Sequence, residues 1–305
     1  MMRSSPPLNL TVLPLPIAMA EGIEGRGCIQ SQRIELTLAT TMTSHFIDID
    51  HLRYHLEIDG RGLPLVLLHG FTGSAESWSA HIEALAARFR VVRIDLPGHG
   101  RTPVLSVERC AFTRVGDDLA SILARVVDVP AHLLGYSMGG RLALYTALTH
   151  PDRVRTLILE SASPGLESAA ERGARRDADE ALAERILAQG VPAFIDAWEK
   201  LPLFATHARL PQSIRDAQRH QRLASDADGL AISLRAMGTG VQPSLWAHLS
   251  DLQAPTLLIT GDEDAKFTSV AQRMAAAMPN ATHRQIIHSG HTPHLEQLNA
   301  FLESV

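Results

Sequence analysis

Apolar residues recur along this chain in short unbroken runs, each closed by glycine or a small polar residue. "LPLVLLHG", "VVRIDLPGHG", "AHLLGYS", "VRTLILES", "PTLLITGDED" and "HRQIIHSGH" are the six examples. Runs of this length without alternation predict strands buried on both faces. Ahead of them, from Phe46 to Leu56, apolar and charged residues alternate around Asp50-His51, which predicts a strand pair. Helical periodicity fills the gaps over Trp78–Phe89, Val115–Val127, Gly140–Thr149 and Thr268–Met278. Strand and helix in alternation predict a mostly parallel central sheet flanked by helices, the α/β class.

The alternation fails once. Residues 163–249 offer no strand pattern, only helical segments punctuated by Gly190, Pro192, Pro202 and Pro211. The expected organisation is a core of residues 44–162 and 250–305, with 163–249 inserted as a helical cap. Residues 1–43 read as an extension with little patterning. Within it "LNLTVLPLPIAMA" is apolar and ends like a cleavage site, but Pro14 and Pro16 break it and Arg3 alone precedes it. Structured patterning starts near Met42, which is therefore expected to lie close to the start of the folded protein.

Composition narrows the function classes. The 305 residues are 45% hydrophobic and 20% charged, with a net charge of −5, so no basic field invites nucleic acid. No apolar run reaches the roughly 18 residues that suggest a membrane span. Cys28 and Cys110 cannot build a disulfide framework, no metal-ligand spacing occurs, and a reducing compartment follows. The cap balances nine basic against nine acidic residues between Gly165 and Ala224.

Ligands of parallel sheets bind beyond the carboxyl ends of the strands. The third run delivers Gly135-Tyr136-Ser137-Met138-Gly139 there. This G-x-S-x-G predicts a tight strand-to-helix turn that lifts the Ser137 hydroxyl above the sheet, with small residues giving the turn room. A serine nucleophile needs a base, and the base needs an orienting acid. The last run supplies His291 after Gly290, and the one before it supplies Asp262 and Asp264. Asp264 lies further along its loop and is the expected partner, with Glu160 the alternative acid. His288 and His294 read as surface residues. Oxyanion donors are expected from the Met138 amide and from Phe71 in the loop "HGFTG". "DLPGHG" reads as a structural loop, with His99 a packing or hydrogen-bonding residue.

Taken together, "LHGFTGSAESW", "DLPGHG", the G-x-S-x-G and the late Asp and His resemble the α/β-hydrolase family over roughly Thr43 to Val305. More narrowly, "GYSMGGRLAL", "GLESAAERGARR", "RAMGTGVQPSLW", and "GDEDAKF" with "SGHTPHLEQ" resemble a family of menaquinone-pathway synthases. That resemblance implies a cytoplasmic, cofactor-free lyase that eliminates pyruvate from a cyclohexene polycarboxylate. It also implies a small anionic substrate, no metal, and a monomer or small homo-oligomer. Arg141 fits it, because a cation one helical turn after Ser137 suits a carboxylate better than a neutral ester. The resemblance further implies that Arg175 and Arg222 hold carboxylates and that Tyr136 and Trp198 line the pocket. A carboxylesterase or carbon–carbon bond hydrolase with the same triad is the alternative; a non-catalytic binding protein of this fold would lack a triad member. Dehalogenase chemistry would need an aspartate at Ser137.

Overall fold

The computed structural model describes residues 42–127 and 129–305. The N-terminal extension up to residue 41, with the apolar stretch 8–20 and Cys28, lies outside the described residues, as does the region just ahead of Met42. An eight-stranded sheet runs in the order β1-β2-β4-β3-β5-β6-β7-β8. Thr43–Ile49 (β1) and Leu52–Asp59 (β2) form the expected hairpin. Its turn residues Asp50 and His51 both take positive φ, +43° and +66°, matching the twist of a two-residue hairpin. β2 pairs antiparallel with Arg90–Ile94 (β4). The remaining ladders are parallel: Pro64–Leu68 (β3), Ala131–Tyr136 (β5), Val154–Glu160 (β6), Thr256–Gly261 (β7) and Ala281–Ile286 (β8). β3 and the central positions of β5, β6 and β7 are buried, which explains their unbroken apolar runs.

Between the strands run helices α1 (Ile82–Ala86), α2 (Phe112–Val126), α3 (Met138–Thr149), α4 (Ala169–Trp198), α5 (Gln212–Leu223), α6 (Ala227–Met237) and α7 (Ala265–Ala277), and after β8 come α8 (Pro293–Glu296) and α9 (Leu298–Leu302). One core layer gathers Phe112, Leu119, Leu142 and Met274 against one face of the sheet. The other gathers Trp78, Leu85 and Phe301 against Leu67 and Ile259. The helix expected over Trp78–Phe89 is instead a 3₁₀ segment, Ala75–His81, followed by the short α1. Ser74 caps the 3₁₀ segment by accepting from the Glu76 amide at 3.2 Å, and the Ala75 amide donates to Asp95 at 2.6 Å. These local bonds favour the tighter start over a single long helix.

Residues 163–249 contain no strand among the described residues, as expected. α4 opens on a capping box in which Ser168 and Glu171 exchange hydrogen bonds. It breaks at Gly190, whose φ of +80° is non-helical, and resumes around Pro192. The cap has its own apolar cluster, including Ile186, Phe194, Ile195, Leu230 and Leu234. β4 lies on one side of β3 and β5 on the other. The loops after β3 and β5 therefore part at a topological switch point, where α/β sheets place ligands.

Candidate active site

Ser137 sits between β5 and α3 with φ +49° and ψ −106°. The turn is tight because its glycines admit close backbone approach. A Cβ on Gly135 would lie 2.5 Å from the Gly139 carbonyl carbon, and one on Gly139 would lie 2.5 Å from the Leu68 oxygen. The backbone locks it further: the Ser137 amide donates to Glu160 O at 2.9 Å, and the Gly139 amide to His69 O at 3.1 Å. A left-handed serine is unfavourable on its own, so the neighbouring strands hold it there.

The expected partners converge on it. His291 Nε2 lies 3.3 Å from Ser137 Oγ, and His291 Nδ1 lies 2.7 Å from Asp264 Oδ2. His291 and Asp264 are both buried. Asp264 is fixed from its other oxygen, which accepts the Phe267 amide at 3.1 Å as the N-cap of α7. With Nδ1–H donating to Asp264, Nε2 is left to accept the Ser137 proton. Phe267 packs on the His291 ring at 4.5 Å between centroids.

The other acids and histidines have different work. Asp262 accepts the Ser289 amide at 3.2 Å and shapes the loop ahead of His291. Glu160 is fully buried and accepts from both the His294 amide (2.9 Å) and His294 Nδ1 (2.8 Å). His294 is thus not the surface residue its position suggested: it is 5% exposed and packed between Tyr136 and Trp78, tilted on the indole and edge-on to the phenol ring. A buried carboxylate that the sequence could not pair accounts for the difference. His288 is exposed, as expected. His99 is buried, and burial lowers its pKa to about 3, so it stays neutral. "DLPGHG" is structural, since Asp95 accepts from His55 Nδ1, the Ala75 amide and the Arg101 amide.

A cavity of about 180 Å³ opens above the serine, lined by Phe71, Tyr136, Met138, Arg141, Arg175, Trp198 and His291 among others. Phe71 and Met138 therefore stand at the right cavity for oxyanion donors. The Met138 amide opens α3, where the first amides have no partner within the helix. Arg141 is 9% exposed and donates to Gln242 Oε1 at 2.9 Å; no carboxylate pairs with it among the described residues. Burial, reinforced by Arg175, lowers its pKa to about 10. Arg175 is more exposed and bonds the buried Asp179 through Nε at 2.8 Å. Trp198 reaches the cavity from the end of α4, and its Nε1 is buried without a hydrogen-bond partner among the described residues.

Arg222 is placed elsewhere. It is buried, donates to Glu199 at 3.3 Å, and lines a neighbouring cavity of about 660 Å³ that shares Phe71, Tyr136 and Phe204 with the first. Sequence reasoning missed Gln242, Lys266 and Ser161. Lys266 lines the serine's cavity from α7, and Gln242 holds Arg141 from beyond α6. Gln242 lies 101 residues from Arg141 in the chain, so no spacing signal links the two; only the fold joins them.

Residues 64–298 match the family model described as the alpha/beta hydrolase fold. A Bacillus subtilis protein, provisionally named 2-succinyl-6-hydroxy-2,4-cyclohexadiene-1-carboxylate synthase, is 41% identical over 83% of this chain and 93% of its own. The Escherichia coli K12 enzyme of that name is 35% identical over 73% of this chain and 87% of its own. The structure of MenH from S. aureus aligns with a TM-score of 0.78 at 38% identity, covering 82% of this chain and 95% of that one. A thermophilic esterase from Thermogutta terrifontis, with malate bound, aligns at 0.75 and 27% identity over 87% and 96%. The sheet order, the left-handed serine and these matches agree: the chain belongs to the alpha/beta hydrolase fold family.

Proposed function

We propose that this chain is a 2-succinyl-6-hydroxy-2,4-cyclohexadiene-1-carboxylate synthase, a carbon–oxygen lyase that eliminates pyruvate from a cyclohexene polycarboxylate in menaquinone biosynthesis. The observation that carries this reading is Arg141, a buried guanidinium facing the serine's cavity with no carboxylate of its own. Burying an uncompensated charge is unfavourable unless something pairs with it. An anionic substrate is that partner, and a guanidinium binds carboxylate through short paired hydrogen bonds. Relatives at 41% and 35% identity that bear the synthase name support the same substrate class.

In this reading Ser137 acts as a base. Its proton passes to His291 Nε2 as Oγ takes a proton from the substrate ring. The electron pair left on carbon delocalises onto the conjugated carbonyl oxygen, where the amides of Phe71 and Met138 stabilise the dienolate; as that pair returns to form the new carbon–carbon double bond, the ring carbon–oxygen bond breaks with its pair on the enolpyruvyl oxygen, which is protonated and leaves as pyruvate. Asp264 holds the imidazolium that forms. Arg141 and Arg175 bind carboxylates, while Tyr136 and Trp198 shape the wall. Arg222 would serve the same substrate from the adjoining cavity. Tyr136 stays protonated, because burial and then Glu160 push its hydroxyl well up.

The esterase-type alternative uses the same triad, and the Thermogutta esterase shares the fold, but a neutral ester leaves Arg141 unpaired. No helix among the described residues is long and apolar enough to cross a membrane, which suits a cytoplasmic enzyme handling a soluble anion. Pyruvate release from the pathway's cyclohexene intermediate, followed by a coupled assay, tests the function. Ser137→Ala should abolish it; near-full release by that variant would refute the scheme.

A further inference from the structure

The floor of the cavity carries a second left-handed serine. Ser161 follows β6 as Ser137 follows β5, and Tyr136 and Glu160 pair directly across the two strands. The two serines therefore stand side by side at the carboxyl edge of the sheet. Ser161 has φ +47°, and its amide is tied to Ile259 O at 2.9 Å. It is 1% exposed. Its Oγ is buried and has no hydrogen-bond partner among the described residues. The residue nonetheless lines the cavity with Ser137, Arg141 and His291.

Two unfavourable features thus fall on one residue. A glycine would adopt the left-handed backbone freely. An alanine would leave no hydroxyl without a partner. The same backbone at Ser137 has an evident use, since its hydroxyl meets His291. Strain held in place by surrounding structure clusters where ligands are handled, and a buried polar group without a partner calls for one.

We propose that Ser161 is a substrate-binding residue whose hydroxyl donates a hydrogen bond to a carboxylate oxygen of the anionic ring substrate. This rests on the lyase reading above. Its Oγ makes no hydrogen bond among the described residues that substrate binding would have to break. Arg141 then supplies charge from α3, while the short, rigidly placed hydroxyl supplies direction. Together they fix which ring carbon is offered to Ser137.

Two variants separate this role from a structural one. Ser161→Ala removes the hydroxyl and keeps the left-handed penalty; Ser161→Gly removes both. Each should lower kcat/KM for pyruvate release three- to tenfold, the scale of one hydrogen bond, chiefly through KM. The glycine variant should melt no lower than the alanine variant. Labelling of Ser137 by a small fluorophosphonate should keep the parent's rate in both. Parental kcat/KM in either variant would overturn the proposal, as would a matching loss of fluorophosphonate labelling, which would place the defect in the triad. A parent enzyme that releases no pyruvate would instead refute the lyase reading itself, so the two failures are distinguishable.

Discussion

Replacing Arg141 with methionine should move activity and stability in opposite directions. The side chain is buried, and its pKa falls from the usual 12.5 to about 10, with burial the largest cause and Arg175 the next. At about 1.4 kcal/mol per tenfold change in proton affinity, holding the charge inside the fold costs roughly 3 kcal/mol. At neutral pH the arginine is charged in both folded and unfolded chains, so the full penalty applies. Methionine removes the penalty but leaves Gln242 Oε1, which now accepts from Arg141 at 2.9 Å, without a donor. That loss offsets roughly 1–3 kcal/mol. The net expectation is a melting temperature unchanged or raised by a few degrees, at about 2–4 °C per kcal/mol for a chain of this size. Catalysis should suffer far more. Losing a buried, charge-assisted carboxylate contact costs about 3–5 kcal/mol, or roughly 10²–10⁴ in kcat/KM for pyruvate release. Scanning calorimetry and a coupled pyruvate assay on one preparation measure both. A variant that is markedly less stable yet keeps its kcat/KM would show that Arg141 is a structural cation, and would remove the main support for an anionic substrate.

Two further outcomes follow from the buried acids and histidines. Asp264→Asn should lower kcat by about 10³-fold or more, the scale of losing the carboxylate that orients a triad histidine. Glu160→Gln should stay within about threefold of the parent, since its amide oxygen can still accept from His294. Equal losses in steady-state kinetics would reopen the choice of acid. Stability should also fall on the acid side of pH 6.5. Burial lowers His99 to about 3, and His81 and His207 to about 4. Below 6.5 the unfolded chain takes up protons at these sites that the folded chain refuses. At pH 5 each site should cost about 1–2 kcal/mol relative to pH 7.5, and a melting temperature that is flat across that range would contradict their neutral burial.

What the sequence disclosed, and what it withheld, divides along a physical line. Buried strands announce themselves because both faces must be apolar, so the runs become strands in the expected order; "HRQIIHSGH" differs, because β8 lies at the sheet edge with only Ile286 buried, and its run is not a double-faced core strand. The elbow is equally legible, since a Cβ added at Gly135 or Gly139 would fall 2.5 Å from neighbouring backbone. The segment after Ser74 was misjudged because periodicity reports which face is buried, not which local bonds tighten the turn. His294 was misjudged for a related reason. Its burial depends on Glu160, 134 residues away, and no spacing rule spans that distance.

The same limit explains why the charges needed the fold before they could be weighed. Read along the chain, Arg141, Arg175 and Arg222 are three cations of equal standing. In space they differ by the partners they already have. Arg175 spends one nitrogen on Asp179, and Arg222 faces Glu199 from the adjoining cavity. Arg141 alone of the three makes no salt bridge with a carboxylate among the described residues; it donates to the neutral Gln242 amide, and Asp179 acts on it only through space. A guanidinium with a carboxylate neighbour can be at rest without substrate; one with only Gln242 is held against its own desolvation by the surrounding helices. That imbalance is relieved when an anion enters. Under the proposed function it thereby favours binding of a carboxylate-bearing substrate over a neutral acyl group at the same serine.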